Sequence, residues 1–589
     1  MENKKYKIDR EESKKMTGYA SIDKPWLKYY NLENLDIQLP QKTIYQYMYD
    51  NNNSHSGRIA INYFGNKIEY KEMFKMIEKA VKSFTNIGVK QGEIVTLCTV
   101  TTPEIIYCVY ALNRLGAIVH LIDPRTSEEG IIKYLKETNS KKLITIDPLF
   151  DKVKNIPLKL EMDKIIVISP LNSLPFTKRI MATRKKKELN LSTSFSTWET
   201  FIKNGQGVKN IHDVEYKKSS PAIIVHTGGT TGVPKGVLLS NDNLNAMAHQ
   251  YRYSGMNLQP GQKFLNIITP SFAYGISNSI HLPLCLGMVD VIIPKFDPNS
   301  FDEYLLKYKP NHTLGVPKYW EILTKSQKLK NKDLSFLLSA GCGGDHLPED
   351  TEQKILNFLK EHRSPSKVAK GYGMTEVSSA ACVCKNECNE IGSVGIPLIN
   401  SSIAIFEPET DKELQYNEIG EICINTPTMM IGYYKNEYET NKVIKTHQDG
   451  KQWIHTGDLG YIDNDGRLFV KGRIKRMIIK RGWKIFPSEI ERIIKLNPYV
   501  EDCCVVGSFH PEFGQVPRAH IRFKEEIGNN VDNNLNLIYE LCKNNLPEYA
   551  IPEDFIIEEL PFPLTNMGKI DYKILEEKDN KEYKKNVKI

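Results

Sequence analysis

"IIVHTGGTTGVPKGVLLS", residues 223–240, packs three glycines, four Thr/Ser hydroxyls and a Pro-Lys-Gly into one short stretch. Small residues leave backbone N–H groups exposed, and the hydroxyls and Lys235 add donors, so the loop suits phosphate. A Walker-type P-loop needs Gly-Lys-Ser/Thr running straight into a helix. Here Pro234 precedes Lys235 and Gly236 follows it, and a proline pushes the residue before it, Val233, away from helical geometry. The flanks "AIIV" and "GVLLS" are β-rich on both sides. The spacing therefore predicts a strand–loop–strand hairpin. Helix resumes only at "SNDNLNAMAHQYRY", where Ser240 to Asp242 offer N-caps. A triphosphate held by such a mobile hairpin implies a product that must leave.

At 589 residues the chain is too long for one core and calls for at least two domains. Its formal charge of +8 comes mostly from scattered lysines, which suits anionic small molecules and does not mark a nucleic-acid binder. Eleven cysteines without regular spacing, and no recognisable leader, predict a reduced cytoplasmic protein. No apolar run reaches the roughly 18–20 residues that span a bilayer; the best, "SIHLPLCLGMVDVIIP", is broken by Pro283 and Asp290. No internal repeat is visible.

Residues 1–40 are polar, with aromatic anchors in "KPWLKYY", and read as an arm lying on the body. From residue 41, helix and strand patterns alternate: "KEMFKMIEKAVKSFTNIGV" then "EIVTLCTV", "PEIIYCVYALNRLGAIVHLID", and "IIKYLKETNSKKLITID". This is the α/β pattern of a largely parallel sheet. Residues 173–192 break the rhythm with a basic run; they read as a solvated loop, with a membrane-surface or partner-docking patch as the alternative. "IHTGDLGYIDNDGRLFVKGR" reads as short strands around a tight "DNDG" turn. Beyond it, "SEIERIIKL", "EDCCVVGSF", "RAHIRFK" and "LNLIYELCKNNL" predict a small α+β unit, and "KDNKEYKKNVKI" a frayed basic tail. The division is thus 1–40, arm; 41–472, a large domain of layered sheets and helices; 473–475, a hinge; 476–589, a small mobile α+β domain.

Five stretches carry the chemistry: "TGGTTGVPKG" (227–236), "GGDHLP" (343–348), "GYGMTE" (371–376), "TGDLGYIDNDGRLFVKGR" (456–473) and "PLTNMGKID" (563–571). In this order and spacing they resemble the adenylate-forming superfamily of acyl-CoA synthetases, luciferases and peptide-synthetase adenylation domains, over roughly residues 40–575. The resemblance implies that Thr227, Gly228, Gly229, Thr230, Thr231 and Lys235 cradle ATP phosphates. Gly343, Gly344 and Asp345 would approach the adenine edge. In "GYGMTE", Tyr372 would stack on adenine beside Gly373 and Met374, Thr375 would bond the α-phosphate, and Glu376 would offer a hard oxygen to Mg²⁺. Asp458 and Arg473 would hold the ribose. Lys569 resembles the family's catalytic lysine, bridging the substrate carboxylate and the α-phosphate.

The implied reaction sets anion against anion, so cation, loop N–H groups and Lys569 must offset charge as carboxylate attacks the α-phosphate. Family members then rotate the small domain about a hinge, here Lys475, where many relatives carry Asp. That movement would exchange Lys569 for "KRGWKIFPSEIE", with Gly482, Trp483 and Lys484 beside a pantetheine arm. Three departures stand out: Gly228 replaces the usual Ser, Trp483 replaces a second Gly, and Ala273 stands where amino-acid-activating relatives carry an aspartate. Without that carboxylate a substrate ammonium would be buried unpaired, which disfavours amino acids. Phe272, Ala273 and Gly275 are the candidate acyl-pocket residues.

"CVCKNEC" (382–388) offers three thiols, but zinc needs four ligands and none is well placed in sequence, so free thiols in a strand are the better reading. The leading function is an AMP-forming ligase joining a fatty or other apolar carboxylic acid to CoA; "IFPSEIE" is nearer the CoA-ligase form than the peptide-synthetase form. The alternative acceptor is the phosphopantetheine of an acyl carrier protein. Lys235, Glu376, Asp458, Arg473 and Lys569 together argue against a degenerate nucleotide-binding scaffold.

Overall fold

The computed structural model describes residues 16–31, 38–183, 193–227, 234–528, 530–564 and 570–586. Strands Pro221–His226 and Gly236–Ser240 pair antiparallel, with Val225 opposite Val237 and His226 opposite Gly236. At the loop's base, the Thr227 N–H donates to the Lys235 carbonyl at 2.9 Å and the Lys235 N–H to Thr227 Oγ1 at 3.0 Å. Helix Asn241–Arg252 starts only after the second strand. Ser240 Oγ accepts from the Asn243 N–H at 3.1 Å and the Asn243 side chain from the Ser240 N–H at 2.8 Å, a reciprocal cap. Lys235 thus leads into a strand, and the hairpin reading holds.

The alternating segments build an eight-stranded sheet. Strands Ile94–Cys98, Ile118–Ile122, Lys142–Ile146 and Lys164–Ile168 run parallel at its centre. Helix Tyr70–Asn86 buries Met73, Phe74, Ile77, Val81 and Phe84 at helical spacing and stops before Gly88, whose φ is +73°. Helix Pro103–Arg114 is buried on every side, because one core joins it to both this sheet and a nine-stranded one. The parallel strands Lys263–Asn266, His312–Gly315, Ser339–Cys342 and Val368–Tyr372 of the second sheet deliver the glycine-rich motifs.

A five-stranded sheet holds Ser402–Phe406, Gly420–Asn425, Gln452–Ile462, Ile444–Thr446 and Leu468–Arg473. Gln452–Ile462 is one long strand where short ones were expected; Gly466, φ +84°, closes the "DNDG" turn. Trp26 of the N-terminal segment is fully buried in this sheet's core, beside Ile396, Ile422 and Leu468. The Tyr30 hydroxyl donates to the Pro397 carbonyl at 2.8 Å, and Ser21 Oγ to Glu413 at 2.6 Å.

The small C-terminal unit pairs Val500–His510 with Gly514–Phe523, flanked by Ile478–Lys480 and Asp554–Ile557, over a core of Ile490, Val505, Ile521 and Ile538. Two expectations are corrected. The basic segment begins as helix Phe176–Thr183 instead of loop, its first turn closed by the Arg179 N–H donating to the Pro175 carbonyl at 2.9 Å; residues 184–192 lie outside the described residues. The C-terminal segment is also helical, Tyr572–Asn586, because Tyr572, Leu575 and Asp579 are buried against the sheet. Among the described residues no helix is long and apolar enough to cross a membrane, and the eleven cysteines are free and buried.

His520 pins that last helix. Its Nδ1 lies 2.8 Å from Glu558 and its Nε2 3.2 Å from Asp579, while Arg518 approaches Asp579 at 3.5 Å and Lys578 approaches Glu558 at 3.1 Å. Burial pulls the imidazole pKa down, but hydrogen bonds and charge from Asp579 and Glu558 outweigh it and hold it above the ordinary value. A raised folded pKa gives stability that is complete below the unfolded value of about 6.5 and is lost as pH rises through the folded one. The midpoint of thermal unfolding should therefore fall from about pH 6 to about pH 9 in the native chain, and His520→Gln should flatten that dependence. Parallel profiles for the two proteins would remove His520 from this role.

Candidate active site

One cavity of about 2030 Å³ opens where the strand ends of the two large sheets meet the five-stranded sheet. It exceeds the roughly 300–1,000 Å³ of an ordinary ligand pocket, and so has room for more than one substrate. Thr227, Lys235, Gly343, Gly344, Asp345, Tyr372, Gly373, Met374, Thr375, Glu376, Phe272, Ala273, Arg473 and Lys475 all line it. Two glycines are dictated by space or conformation: a Cβ on Gly373 would meet the Ser379 carbonyl oxygen at 1.7 Å, and Gly344 has φ +82°. Ser378 and Ser379 follow with φ +60° and +133°, strained values for residues with side chains. The Ser378 hydroxyl anchors them by donating to the Thr428 carbonyl at 2.8 Å.

Glu376 is buried, 6% exposed, and accepts a 2.6 Å hydrogen bond from the Tyr433 hydroxyl. Burial raises its carboxyl pKa above the usual range, and the Tyr433 hydroxyl opposes that rise. Lys235 Nζ lies 4.5 Å over the Tyr433 ring and 2.5 Å from Glu439. Hydrogen bonds from Lys235 and Lys442 hold Glu439 down at about 2. The lysine thus rests on a carboxylate at the cavity, a partner for which a bound anion would compete. Glu376 presents a hard carboxylate oxygen on the wall, the kind of ligand that would suit Mg²⁺.

Asp458 is not on the cavity surface. Its carboxylate accepts from the Tyr372 hydroxyl at 2.7 Å and pairs with Arg473 Nε at 3.1 Å, directly opposite it on the neighbouring strand. Ribose binding would need these groups to share it. Lys475 sits in the short 3₁₀ turn Ile474–Arg476, between the five-stranded sheet and the small unit.

Phe272 and Ala273 enter the π-helical turn Tyr274–His281, whose wider winding sends Tyr274 and Asn278 to the cavity wall. Gly275 is corrected: it faces the Thr269 carbonyl, where a Cβ would lie at 1.8 Å, and does not line the cavity. Gly482, Trp483 and Lys484 also lie off the cavity. Arg481, φ +49°, and Gly482, φ +84°, make a hairpin turn between strands Ile478–Lys480 and Trp483–Ile485, and Trp483 stacks on Tyr549 at 4.8 Å. Cys382, Cys384 and Cys388 are buried free thiols near the wall residue Val383. The expected phosphate residues Gly228, Gly229, Thr230 and Thr231, and the expected catalytic Lys569, lie outside the described residues.

Sequence reasoning missed Tyr433 and Glu439, in "GYYKNEYET", because nothing in their spacing marks a site. It also missed His226, whose Nε2 is 2.8 Å from His120 Nε2; burial holds His226 down at about 4. A histidine next to the phosphate loop was the available signal.

Tyr433→Phe keeps the ring under Lys235 but removes the hydroxyl that favours ionised Glu376. The carboxyl pKa then rises further, so the acid limb of pyrophosphate release should move to higher pH. The neutral-pH rate should fall about tenfold, the order of a lost hydrogen bond to a charged group. An unmoved acid limb would show that Glu376 does not act ionised.

A family model described as AMP-binding enzyme matches residues 48–434, and one described as AMP-binding enzyme C-terminal domain matches 489–569. A long-chain-fatty-acid–CoA ligase of Bacillus subtilis is 27% identical over 93% of this chain and 96% of its own. A probable 4-coumarate–CoA ligase of Dictyostelium discoideum is 30% identical over 78% of this chain and 81% of its own. Among solved structures, ATP-bound MatB from Rhodopseudomonas palustris superposes with a TM-score of 0.77 at 22% identity, over 92% of this chain and 99% of that one. The chain belongs to the AMP-binding enzymes and is an AMP-forming acid–thiol ligase of that family.

Proposed function

We propose that the chain activates an apolar carboxylic acid, aliphatic or aryl-substituted, and transfers the acyl group to CoA. The observation that carries this reading is the wall formed by Met256, Ile267, Phe272 and Ala273, in the cavity that also contains Lys235 and Glu376. An ammonium group against that wall would lack a partner. The similarity to both a long-chain-fatty-acid–CoA ligase and a 4-coumarate–CoA ligase supports an apolar acid without choosing its shape.

In the first half-reaction a carboxylate oxygen attacks the α-phosphorus and pyrophosphate leaves. Lys235, released from Glu439, follows the phosphate charge, and Thr375 donates to the α-phosphate. Glu376 would hold Mg²⁺, which would supply positive charge against the phosphates. Lys569 bridges the carboxylate and α-phosphate. In the second, a thiol sulfur attacks the acyl carbon and AMP leaves. We assign the exchange between halves to rotation about Lys475, which brings Gly482–Lys484 to the cavity. A carrier-protein phosphopantetheine presents the same thiol as CoA. Eleven free cysteines support a reducing, cytoplasmic setting.

A pyrophosphate-release screen over aliphatic, aryl and amino acids, followed by thioester formation with CoA or with phosphopantetheinyl carrier protein, tests the reading. Apolar acids and CoA should dominate; preference for an amino acid would overturn it. Lys569→Ala should lose acid-dependent pyrophosphate release by orders of magnitude yet convert supplied acyl-adenylate to thioester near the native rate. Equal loss in both halves would remove the role given to Lys569.

Phe176, Ile180 and Met181 are 77%, 44% and 66% exposed on one short helix ahead of the basic run, which supports peripheral membrane contact through 173–192. Sedimentation with anionic vesicles should be lost in Phe176→Asp/Met181→Asp, and equal sedimentation of both proteins would exclude that contact.

A further inference from the structure

The five-stranded sheet brings together a second polar cluster, on strands that do not carry Glu376. Strand Gly420–Asn425 lies beside Gln452–Ile462 with Cys423 opposite His455, and a bulge separates Glu421 from Cys423. Residues two apart on a strand share a face. The ligand atoms of Glu421, Cys423 and His455 consequently lie within 4.8 Å of one another, and all three residues are buried. Cys423 Sγ is 3.5 Å from His455 Nδ1, and Glu421 Oε2 is 2.9 Å from the same nitrogen.

We propose that Glu421, Cys423 and His455 form a binding site for one zinc-class divalent ion, distinct from the Mg²⁺ position assigned to Glu376. A thiolate and an imidazole select a borderline-soft ion over Mg²⁺. Tetrahedral zinc, with about 2.3 Å to sulfur and about 2.0–2.1 Å to nitrogen, requires the two ligand atoms to stand about 3.5 Å apart. The observed separation is 3.5 Å. The carboxylate would retreat by about half an ångström from its present hydrogen bond to reach the corresponding spacing.

The surroundings match those of a metal ligand set. A ligating imidazole donates its other N–H to an acceptor, and His455 Nε2 lies 2.8 Å from His447 Nε2. Asp411 stands 3.7 Å from that same His447 nitrogen, while the buried His447 Nδ1 has no hydrogen-bond partner among the described residues. The Gly457 N–H fixes the other oxygen of Glu421 at 3.0 Å. Glu421 and His455 also line the large cavity, which gives the ion an entry path and a water for its fourth position. On binding, the Cys423 thiol proton passes to solvent and the thiolate takes its place on the ion. The ion would clasp the strand that carries Asp458 to its neighbour.

The test uses the full chain, stripped with a chelator and titrated with Co²⁺. One equivalent should produce a thiolate-to-cobalt charge-transfer band that Zn²⁺ removes. Cys423→Ser should abolish the band and weaken zinc binding at least about a hundredfold, and His447→Gln should weaken it about 10–100-fold with the band retained. No band in the native chain, or an undiminished band in Cys423→Ser, would overturn the site. X-ray absorption of the zinc-loaded native protein needs no variant: one sulfur among nitrogen and oxygen neighbours supports the proposal. All-nitrogen/oxygen ligation, or more than one sulfur, overturns it.

Discussion

The 2.6 Å hydrogen bond from Tyr433 to Glu376 joins the two large sheets over the cavity. Tyr433 lies on the edge strand that pairs with Gly236–Ser240, so it belongs to the phosphate hairpin's own sheet. Glu376 follows strand Val368–Tyr372 of the other sheet, and its carbonyl accepts the Met430 N–H at 2.8 Å. Lys235 stacks over the same tyrosine. A buried carboxylate is costly without a partner. Here the partner comes from the opposite sheet, and fixing one group fixes the spacing between hairpin and glycine-rich loop.

The rest of the polar wall follows the same economy of charge. Lys235 is matched by Glu439, and Arg473 by Asp458, which lies off the cavity surface and also accepts from the Tyr372 hydroxyl. Lys235 and Glu439 are each about a third exposed and Arg473 is half exposed, so the net contribution of these pairs to stability is small. These pairs keep the cations oriented toward the cavity without locking them. An anionic ligand can take over the lysine or the arginine at modest cost, whereas Glu376, buried and hydrogen-bonded, stays in place.

Much of the fold was legible because the signals were local. Pro234 and the β-rich flanks excluded a helix after Lys235, the 3.6-residue spacing of Met73, Phe74, Ile77 and Val81 marked a helix face, and "DNDG" marked a turn. What was not legible depends on contacts distant in sequence. The C-terminal helix reads as a polar tail until His520, nearly sixty residues earlier, is set against Asp579. Gly275 reads as a pocket residue until the Thr269 carbonyl is placed against it. Tyr433 carries no motif. Thiol spacing drew attention to "CVCKNEC", while the cluster with metal-ligand geometry joins "GEIC" to "WIHTG" across two strands. Spacing along one strand cannot reveal a set completed by its neighbour.

The junction between the five-stranded sheet and the small unit is built differently from either interior. Lys471 pairs with Glu489 at 3.3 Å across it, with both side chains about a third exposed or more, and the Ser488 hydroxyl donates to the Lys471 carbonyl. Exposed ion pairs of this kind contribute about 0–1 kcal/mol. The small unit keeps its own apolar core, which includes Ile490, Val505 and Ile521. Breaking the polar contacts therefore leaves that core whole, and the 3₁₀ turn Ile474–Arg476 offers a few backbone dihedrals at which the chain could be redirected. Trp483, more than half exposed on its hairpin, stays supported by Tyr549 within the same unit. A rotation at Lys475 would thus carry the Gly482–Lys484 turn as a preformed piece, and its energetic cost would fall on water-exposed contacts that re-form elsewhere.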